Sequence, residues 1–512
     1  MPKRLGSSMS SQLQAEHQTK LLRRAPKLAA DTLRKRAHTS LNMSRLALLL
    51  LAAWQAATAF RVPAPVVQRK KLLAPAKLPP PLRAAAADDA AVEKVEKPPL
   101  TPRLAGFAAL AIADEACRVA FKGSGLPHSL AGGGALVALL IATGSIGEKL
   151  HKKLLAPGAT LLLSWMPVFF APALVLLPLA EPVVATARDA AALAVVVFGG
   201  LAASLSATAL AVSTVCSDEC TAASDTWSKS RPVTVPFGSP LLKPLGVATL
   251  LSGVLAAQGK LAFKRPYFVA ATLGSFVFGS RFASSLAKSE SKTKKALARA
   301  LHPVAQCALV TTVACRILAK ATSKTTTATL KSYATLAGAP LQRLLGASVL
   351  ALACGVYGRR REVRDNWKAV AAGTVSGVGV GLYGTALAAR AVQLPKAARY
   401  ALLPRCITSP LAVAVCTALN TDAAAAVALV VVTGVLGAAF GPSALDALGT
   451  KDPVARGMAM GAAAHGIGTA QMGDEPDAQP FAAIAMSLVG AASVVAAATP
   501  ASRALLLRAA GV

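Results

Sequence analysis

Charged side chains are scarce in this sequence, and acidic ones are the scarcest. Only 15% of its 512 residues are Asp, Glu, Lys or Arg, and 23 acidic residues stand against 55 basic ones. Soluble domains carry about 25% charged residues because they need a polar surface. With 54% hydrophobic residues and a mean hydropathy of +0.53, the composition excludes an ordinary soluble protein and predicts a polytopic membrane protein.

Cysteine and histidine are also few, at eight and six residues. The cysteines are scattered, mostly within apolar segments, where cysteine acts as a small hydrophobic side chain. Cys216 and Cys220 form the closest pair, but no second pair follows at the spacing of a zinc site. The sequence therefore predicts neither a disulfide framework nor a metal centre, and we expect no cofactor.

The excess of basic residues gives a net charge of +32, which on a soluble surface would indicate nucleic-acid binding. Here many basic residues lie in the N-terminal region and in short loops between apolar runs, such as 148–153 and 288–295. That placement is typical of membrane-protein topology. We therefore expect a lipid bilayer, and not a nucleic acid, as the partner of these charges.

Residues 1–102 have the composition of a targeting region followed by a disordered linker. Within them, Arg45, an apolar run and the small residues up to Ala59 form the three parts of a secretory signal peptide. A basic, proline-rich stretch follows directly and has no pattern that would pack. This order resembles the signal-plus-transit presequence of proteins imported into plastids with several bounding membranes. A signal anchor with a disordered tail is the alternative.

Apolar runs long enough to cross a hydrocarbon core of about 30 Å recur beyond the leader. Backbone polar groups inside lipid must be satisfied within their own segment, so these runs are predicted to be helices. We expect an all-α polytopic membrane protein with about 11–12 transmembrane helices and two re-entrant or broken segments. The predicted spans lie near residues 103–121, 129–147, 154–180, 187–214, 240–258, 266–286, 298–318, 337–357, 368–391, 423–443 and 478–498.

The longest polar interruption divides the membrane part into two units. It begins as CSDECTAASDTWSKS and carries Ser, Thr, Asp and Pro, which favours a linker over 216–239. A first membrane unit is predicted at 103–215 and a second at 240–500.

Two later segments differ from plain spans. LLPRCITSPLAVAV (402–415) places two prolines and Arg405 in an apolar run, and ARGMAMGAAAHGIGTAQMG (455–473) combines glycines with His465. Proline breaks helices, and non-helical backbone at membrane depth survives only where protein or a water-filled cavity covers it. Broken helices of this kind build substrate sites in secondary transporters, whereas interfacial loops are the alternative.

Arg405 is the sharpest candidate for binding. A guanidinium in an apolar segment costs at least about 2.5–3.5 kcal/mol on insertion scales, so it is usually paired or functional. Its planar fork matches a carboxylate, and the hydroxyls of Thr408 and Ser409 are suited to a second oxygen of a hydroxy acid. The alternative is an arginine that reaches the headgroups and anchors the topology.

His465 is the second candidate, because an imidazole takes up and releases protons near neutral pH. Gly466 and Gly468 would let main-chain amides approach a small anion, and Thr469 would add a hydroxyl. A hydrogen-bonded structural histidine and glycines that pack helices together are the competing interpretation. No nucleophile motif or paired acid accompanies the histidine, so no enzymatic activity is predicted.

These motifs resemble those of a known family. The runs PRCITSP, VTGVLGA with Thr433, and DPVARGMAMGAAAHGIGTA are similar to the LrgB family, and LPHSLAGGGALVALLIATG in the first unit resembles the small membrane protein LrgA. With the residues argued above, the resemblance implies a substrate site that contains Arg405, Thr408, Ser409, Thr433, His465, Gly466, Gly468 and Thr469.

An LrgA-like unit fused to an LrgB-like unit behind a plastid address implies a secondary transporter. The implied activity moves small 2-hydroxy carboxylates, glycolate outward and glycerate inward, across the plastid inner envelope in photorespiration. Protons as a coupling ion and a homo-oligomer are both compatible with this reading. The alternative is a holin-like or regulatory membrane protein that controls envelope permeability.

Overall fold

The computed structural model describes residues 100–123, 127–180, 182–216, 239–287 and 303–512. The predicted linker at 216–239 and the leader up to Lys97 lie outside this described part, apart from the linker's end residues. Within the described residues every regular element is a helix and no strand occurs. The fold class predicted from composition, an all-α polytopic membrane protein, is therefore confirmed.

Contacts divide the chain into a large unit, residues 96–184 and 191–512, and a second unit, residues 1–95 and 185–190. Of the second unit, the structure describes only 185–190. There the amide of Thr186 donates to the Asp189 carboxylate, and the amide of Asp189 donates to the Thr186 hydroxyl, each at 3.1 Å. This reciprocal pair caps the first turn of the helix that follows.

The helices of seven or more residues are numbered here in chain order. In the first half they are α1 (Leu100–Ala120), α2 (His128–Ala142), α3 (Ser145–Leu179) and α4 (Ala187–Ser213). In the second half they are α5 (Ser239–Ala257), α6 (Lys264–Ala287), α7 (Pro303–Ala321), α8 (Thr326–Gly358), α9 (Trp367–Ala391), α10 (Lys396–Leu402), α11 (Ser409–Leu419), α12 (Ala423–Ala447), α13 (Pro453–Gln471), α14 (Gln479–Ala498) and α15 (Pro500–Ala510).

Eight helices of the described residues are long and apolar enough to cross a membrane, namely α3, α4, α5, α7, α8, α9, α12 and α14. The other three predicted spans are helices as well, α1, α2 and α6, but they are shorter or less apolar: α2 has 15 residues, against about 20 for a span. Large apolar side chains such as Ile112, Leu250 and Val375 are exposed on helix surfaces by 70% or more, which suits contact with lipid.

The first and second halves share one hydrophobic core. Leu110 of α1, Leu140 of α2 and Leu162 of α3 are fully buried in the same cluster as Leu350 of α8. The Tyr357 hydroxyl of α8 also donates to the Leu140 carbonyl at 3.3 Å. α8 therefore joins the two predicted membrane units within the large unit.

Both segments predicted to be broken are broken. α10 and α11 are separated by the non-helical residues 403–408, and α13 is interrupted at His465, whose φ is 43° and ψ −141°. Of the described cysteines, Cys216 is disulfide-bonded, which the scattered spacing did not predict.

Small residues let α13 and α14 approach closely, and Gly461 is the tightest point. A Cβ added there would collide with the carbonyl oxygen of Ala482 and lie 2.8 Å from the Cβ of Ala485. Gly457, one turn earlier, faces the same helix in the same way. The GxxxG spacing thus sets the helix separation next to the break in α13.

We expect Gly461→Ala to lower the free energy of unfolding by about 1–3 kcal/mol, because backbone atoms of α14 must move. The matched control is Gly246→Ala in α5, where an added Cβ meets nothing within 4 Å. That variant should be neutral or stabilising, since alanine is the better helix former. Thermal unfolding of both variants in detergent checks the contrast, and equal losses would contradict it.

Candidate functional site

The first broken segment is a turn held between two short helices. α10 ends at Leu402, and α11 begins at Ser409 with Pro410 in its first turn. Pro404 and Pro410 lack amide hydrogens, so one continuous helix cannot pass through this stretch. Thr408 occupies the N-cap position, but its side chain makes no cap hydrogen bond. Its hydroxyl therefore remains uncommitted to the helix, unlike that of an ordinary N-cap threonine.

Arg405 projects from this turn into the interior and is fully buried. Its Nε donates to the Thr385 hydroxyl at 3.0 Å, and its Nη2 donates to the Ser204 hydroxyl at 3.5 Å. Nη1 has no hydrogen-bond partner, and no carboxylate among the described residues pairs with the guanidinium. Two neutral hydroxyls orient the group but leave its positive charge uncompensated.

Arg456, at the start of α13, shows the contrasting case. Its Nε and Nη2 donate to both carboxylate oxygens of Glu475 at 2.6 and 2.7 Å, and its Nη1 donates to Asp446 at 2.8 Å. These residues line an open cavity of about 550 Å³. Arg456 is therefore neutralised by two acids, in contrast to Arg405.

Two hydroxyls predicted for the site are buried without a partner. Thr408 is 1% exposed and Thr433, on α12, is fully buried, yet neither Oγ1 has a hydrogen bond. Buried hydroxyls nearly always find one. Together with Nη1 of Arg405, three of the predicted site residues thus present unused polar atoms, while Ser409 beside Thr408 is buried at 3% exposure.

His465 forms the break in α13. The ring is buried, and Nε2 donates to the Val430 carbonyl of α12 at 2.9 Å. It packs directly on Gly434, where an added Cβ would lie 2.6 Å from Cε1 and 2.7 Å from Nε2. The adjacent Thr433 and Gly434 of the VTG motif therefore have separate roles, since the threonine supplies a free hydroxyl and the glycine makes room for the ring.

The residues after His465 stabilise the break itself. The Thr469 hydroxyl donates to the His465 carbonyl at 2.8 Å and lies 3.2 Å from the Ala482 carbonyl. Gly466 and Gly468 are both helical, and a Cβ on Gly468 would lie 3.2 Å from the Met460 carbonyl. The Thr469 hydroxyl is thus engaged with the protein, and the expectation that Gly466 and Gly468 face an anion stays a prediction.

Sequence reasoning did not identify Gly200, Ser204 and Thr385 as neighbours of Arg405. Thr385 lies in α9, 20 residues before Arg405, whereas Ser204 lies in α4, 201 residues before it, in the first predicted unit. α4 also passes close to the break in α13. A Cβ added to Gly437 of α12 would lie 3.6 Å from Leu201 of α4, and it would collide with Ala464, the residue before His465. The available signal was the four-residue spacing of Gly200, Ser204 and Thr208 in an apolar helix.

Comparison with known proteins agrees with this arrangement of motifs. Residues 292–502 match the model of the LrgB-like family, and this range includes the Arg405 turn, α12 and α13. No solved structure matched the chain.

Three relatives illustrate the range of similar proteins. The chain is 31% identical over 369 residues to plastidal glycolate/glycerate translocator 1 of Arabidopsis thaliana, covering 68% of each chain. It is 31% identical over 158 residues to an uncharacterised protein of Haemophilus influenzae, which covers 31% of this chain and 68% of the relative. It is also 28% identical over 159 residues to the holin-like protein CidB of Staphylococcus aureus, with 31% and 69% covered. From the long match to the plant protein and the family model over its second half, this multi-pass membrane protein belongs to the LrgB-like family.

Proposed function

We propose that this protein is a secondary transporter that exchanges small 2-hydroxy carboxylates, glycolate outward and glycerate inward, across the plastid inner envelope during photorespiration. The observation that carries the proposal is the fully buried Arg405, whose charge no described carboxylate neutralises. The similarity to the glycolate/glycerate translocator of Arabidopsis supports this substrate class. An unpaired buried cation is costly, and a bound carboxylate would compensate it once in each transport cycle.

The free polar atoms fit a 2-hydroxy acid in number and type. Nη1 of Arg405 donates to a carboxylate oxygen with a charge-assisted bond. The Thr408 hydroxyl, in the same turn, and the Thr433 hydroxyl each donate and accept, which suits the substrate's second oxygen and its hydroxyl group. His465, held by Val430, contributes by maintaining the break that exposes non-helical backbone.

The first test is counterflow in liposomes that contain the purified chain. Labelled glycolate should enter saturably when glycerate is preloaded, and it should not enter empty vesicles at the same rate. Vesicles with an imposed pH gradient then show whether protons are coupled to the exchange. Glycolate uptake that does not depend on internal glycerate would contradict an exchange mechanism.

A holin-like function is the second candidate, because the chain is 28% identical over 159 residues to the holin-like protein CidB. A permeability protein predicts leakage of a neutral sugar of similar size and no discrimination between enantiomers of glycerate. The same liposomes, loaded with labelled glycerol or erythritol, decide between the two functions. Selective counterflow without sugar leakage supports transport, and unselective leakage supports the holin-like protein.

The plastid location is a separate part of the proposal and rests on residues 1–102. A fluorescent protein fused behind these residues should be imported into the plastid. Deletion of the signal-like part up to Ala59 should leave the fusion in the cytosol, because the first membrane would no longer be crossed. Retention of the intact fusion in the endoplasmic reticulum would favour the signal anchor.

A further inference from the structure

One face of α4 carries small residues at every fourth position. Gly200, Ser204 and Thr208 follow one another along this face, and Ser204 and Thr208 are fully buried. The Thr208 hydroxyl lies 3.5 Å from that of Ser376 in α9. Residues four apart share a helix face, so the whole face looks toward the second half of the chain rather than toward lipid.

Gly200 is the point of closest approach to the guanidinium. A Cβ at this position would lie 2.7 Å from Cζ of Arg405 and 3.2 Å from Nε, and it would be closer still to Nη2. The guanidinium therefore occupies the space that any side chain at position 200 would fill. One turn later, Ser204 accepts from Nη2 at 3.5 Å and lies 3.7 Å from Sγ of Cys406.

The guanidinium is thus oriented from two sides. Thr385 of α9 accepts from Nε at 3.0 Å, and Gly200 and Ser204 of α4 define the place of Nη2. Nη1 is left as the nitrogen without a partner. α4 lies in the first predicted unit and outside the range 292–502 that matches the LrgB-like family.

We infer that α4 is part of the substrate site, with Gly200 and Ser204 as positioning residues that aim Nη1 of Arg405 at the substrate carboxylate. This inference rests on the proposed function. It assigns the first half of the chain a direct part in binding: the LrgB-like segment by itself lacks one side of the site. Because both α4 residues act through Arg405, their loss weakens carboxylate binding and leaves the translocation step intact.

The test compares Gly200→Ala with Gly199→Ala in the full chain. An added Cβ at Gly199 meets nothing within 4 Å. The two variants therefore introduce the same substitution at adjacent positions of one helix, and only the one at position 200 contacts Arg405. The methyl at position 200 displaces the flexible end of Arg405, and we expect the KM for glycolate counterflow to rise about tenfold with little change in the maximal rate. Ser204→Ala, which removes the acceptor of Nη2, should raise the KM in the same direction.

A double-mutant cycle separates positioning from general damage. Arg405→Lys lacks the Nη2 atom that the methyl would meet first, so adding Gly200→Ala to it should produce a much smaller further rise in KM. Equal effects of Gly200→Ala in both backgrounds, or of Gly199→Ala and Gly200→Ala, would overturn the inference.

Failure of the proposed function is distinguishable from failure of this inference. If the wild-type protein moves no carboxylate, the melting temperatures of the same four proteins of the double-mutant cycle are compared. Coupling between positions 200 and 405 then still supports the contact of α4 with the guanidinium, and additive shifts overturn it.

Discussion

Arg405→Met should abolish most carboxylate exchange while leaving the melting temperature unchanged or higher. The loss of one charge-assisted contact is worth about 1.5–3 kcal/mol, which corresponds to a roughly 10- to 150-fold fall in transport efficiency. Stability should not fall, because the guanidinium is buried with only hydroxyl partners, and apolar replacement of buried charges is often neutral or stabilising. Counterflow and thermal unfolding of the same preparation check both results.

The control is Arg456→Met, for which we expect the opposite result for stability. Arg456 forms a two-point contact with Glu475 and a further bond to Asp446. Its removal leaves two acids without their partner and should lower stability by about 1–3 kcal/mol. A large stability loss in Arg405→Met would instead identify Arg405 as a structural residue, and the proposed site would be wrong.

His465→Gly should be more stable than His465→Ala, a reversal of the usual order in helices. His465 has a φ of 43°, a conformation that costs a residue with a side chain about 1–3 kcal/mol and costs glycine little. Both variants lose the bond to the Val430 carbonyl, at about 0.5–1.5 kcal/mol each. Only the alanine variant keeps the backbone strain.

The matched position is Ala462, which is buried in the regular part of the same helix. There, Ala462→Gly should lose about 1 kcal/mol, because glycine is the poorer helix former. Unfolding of the three variants in one detergent gives the comparison. If His465→Ala is the more stable of the two histidine variants, the backbone break does not persist in the folded protein.

Much of the fold was predictable because the bilayer imposes simple rules. A segment of about 20 apolar residues in lipid has little alternative to a helix, and every predicted span coincides with one. The break near Arg405 was equally predictable, because prolines at 404 and 410 remove amide donors wherever they occur. The break in α13 was expected from its glycines, but it falls at His465, whose ring is bonded to the Val430 carbonyl of α12.

The composition of the site depended on contacts that sequence separation conceals. The residues at Arg405, Thr408, Thr433 and His465 were identified from local chemistry, since a charge, hydroxyls and a histidine are conspicuous among alanines and leucines. Whether the polar atoms of each residue have a hydrogen-bond partner depends on how the helices pack. The Thr469 hydroxyl is engaged within the protein, whereas Arg405, Thr408 and Thr433 retain unpartnered atoms.

By itself the sequence determined that this chain is helical, lies in a membrane and carries a cation where its helices must break, because lipid and proline act on local segments. Only the tertiary structure decided that Arg405 has no acidic partner among the described residues and that Gly200 and Ser204 of the first half meet it. The reason is that a guanidinium's partners are set by which helices pack together. Here α4 meets a turn some 200 residues away, and small side chains on α4 look in sequence like any packing face in a membrane.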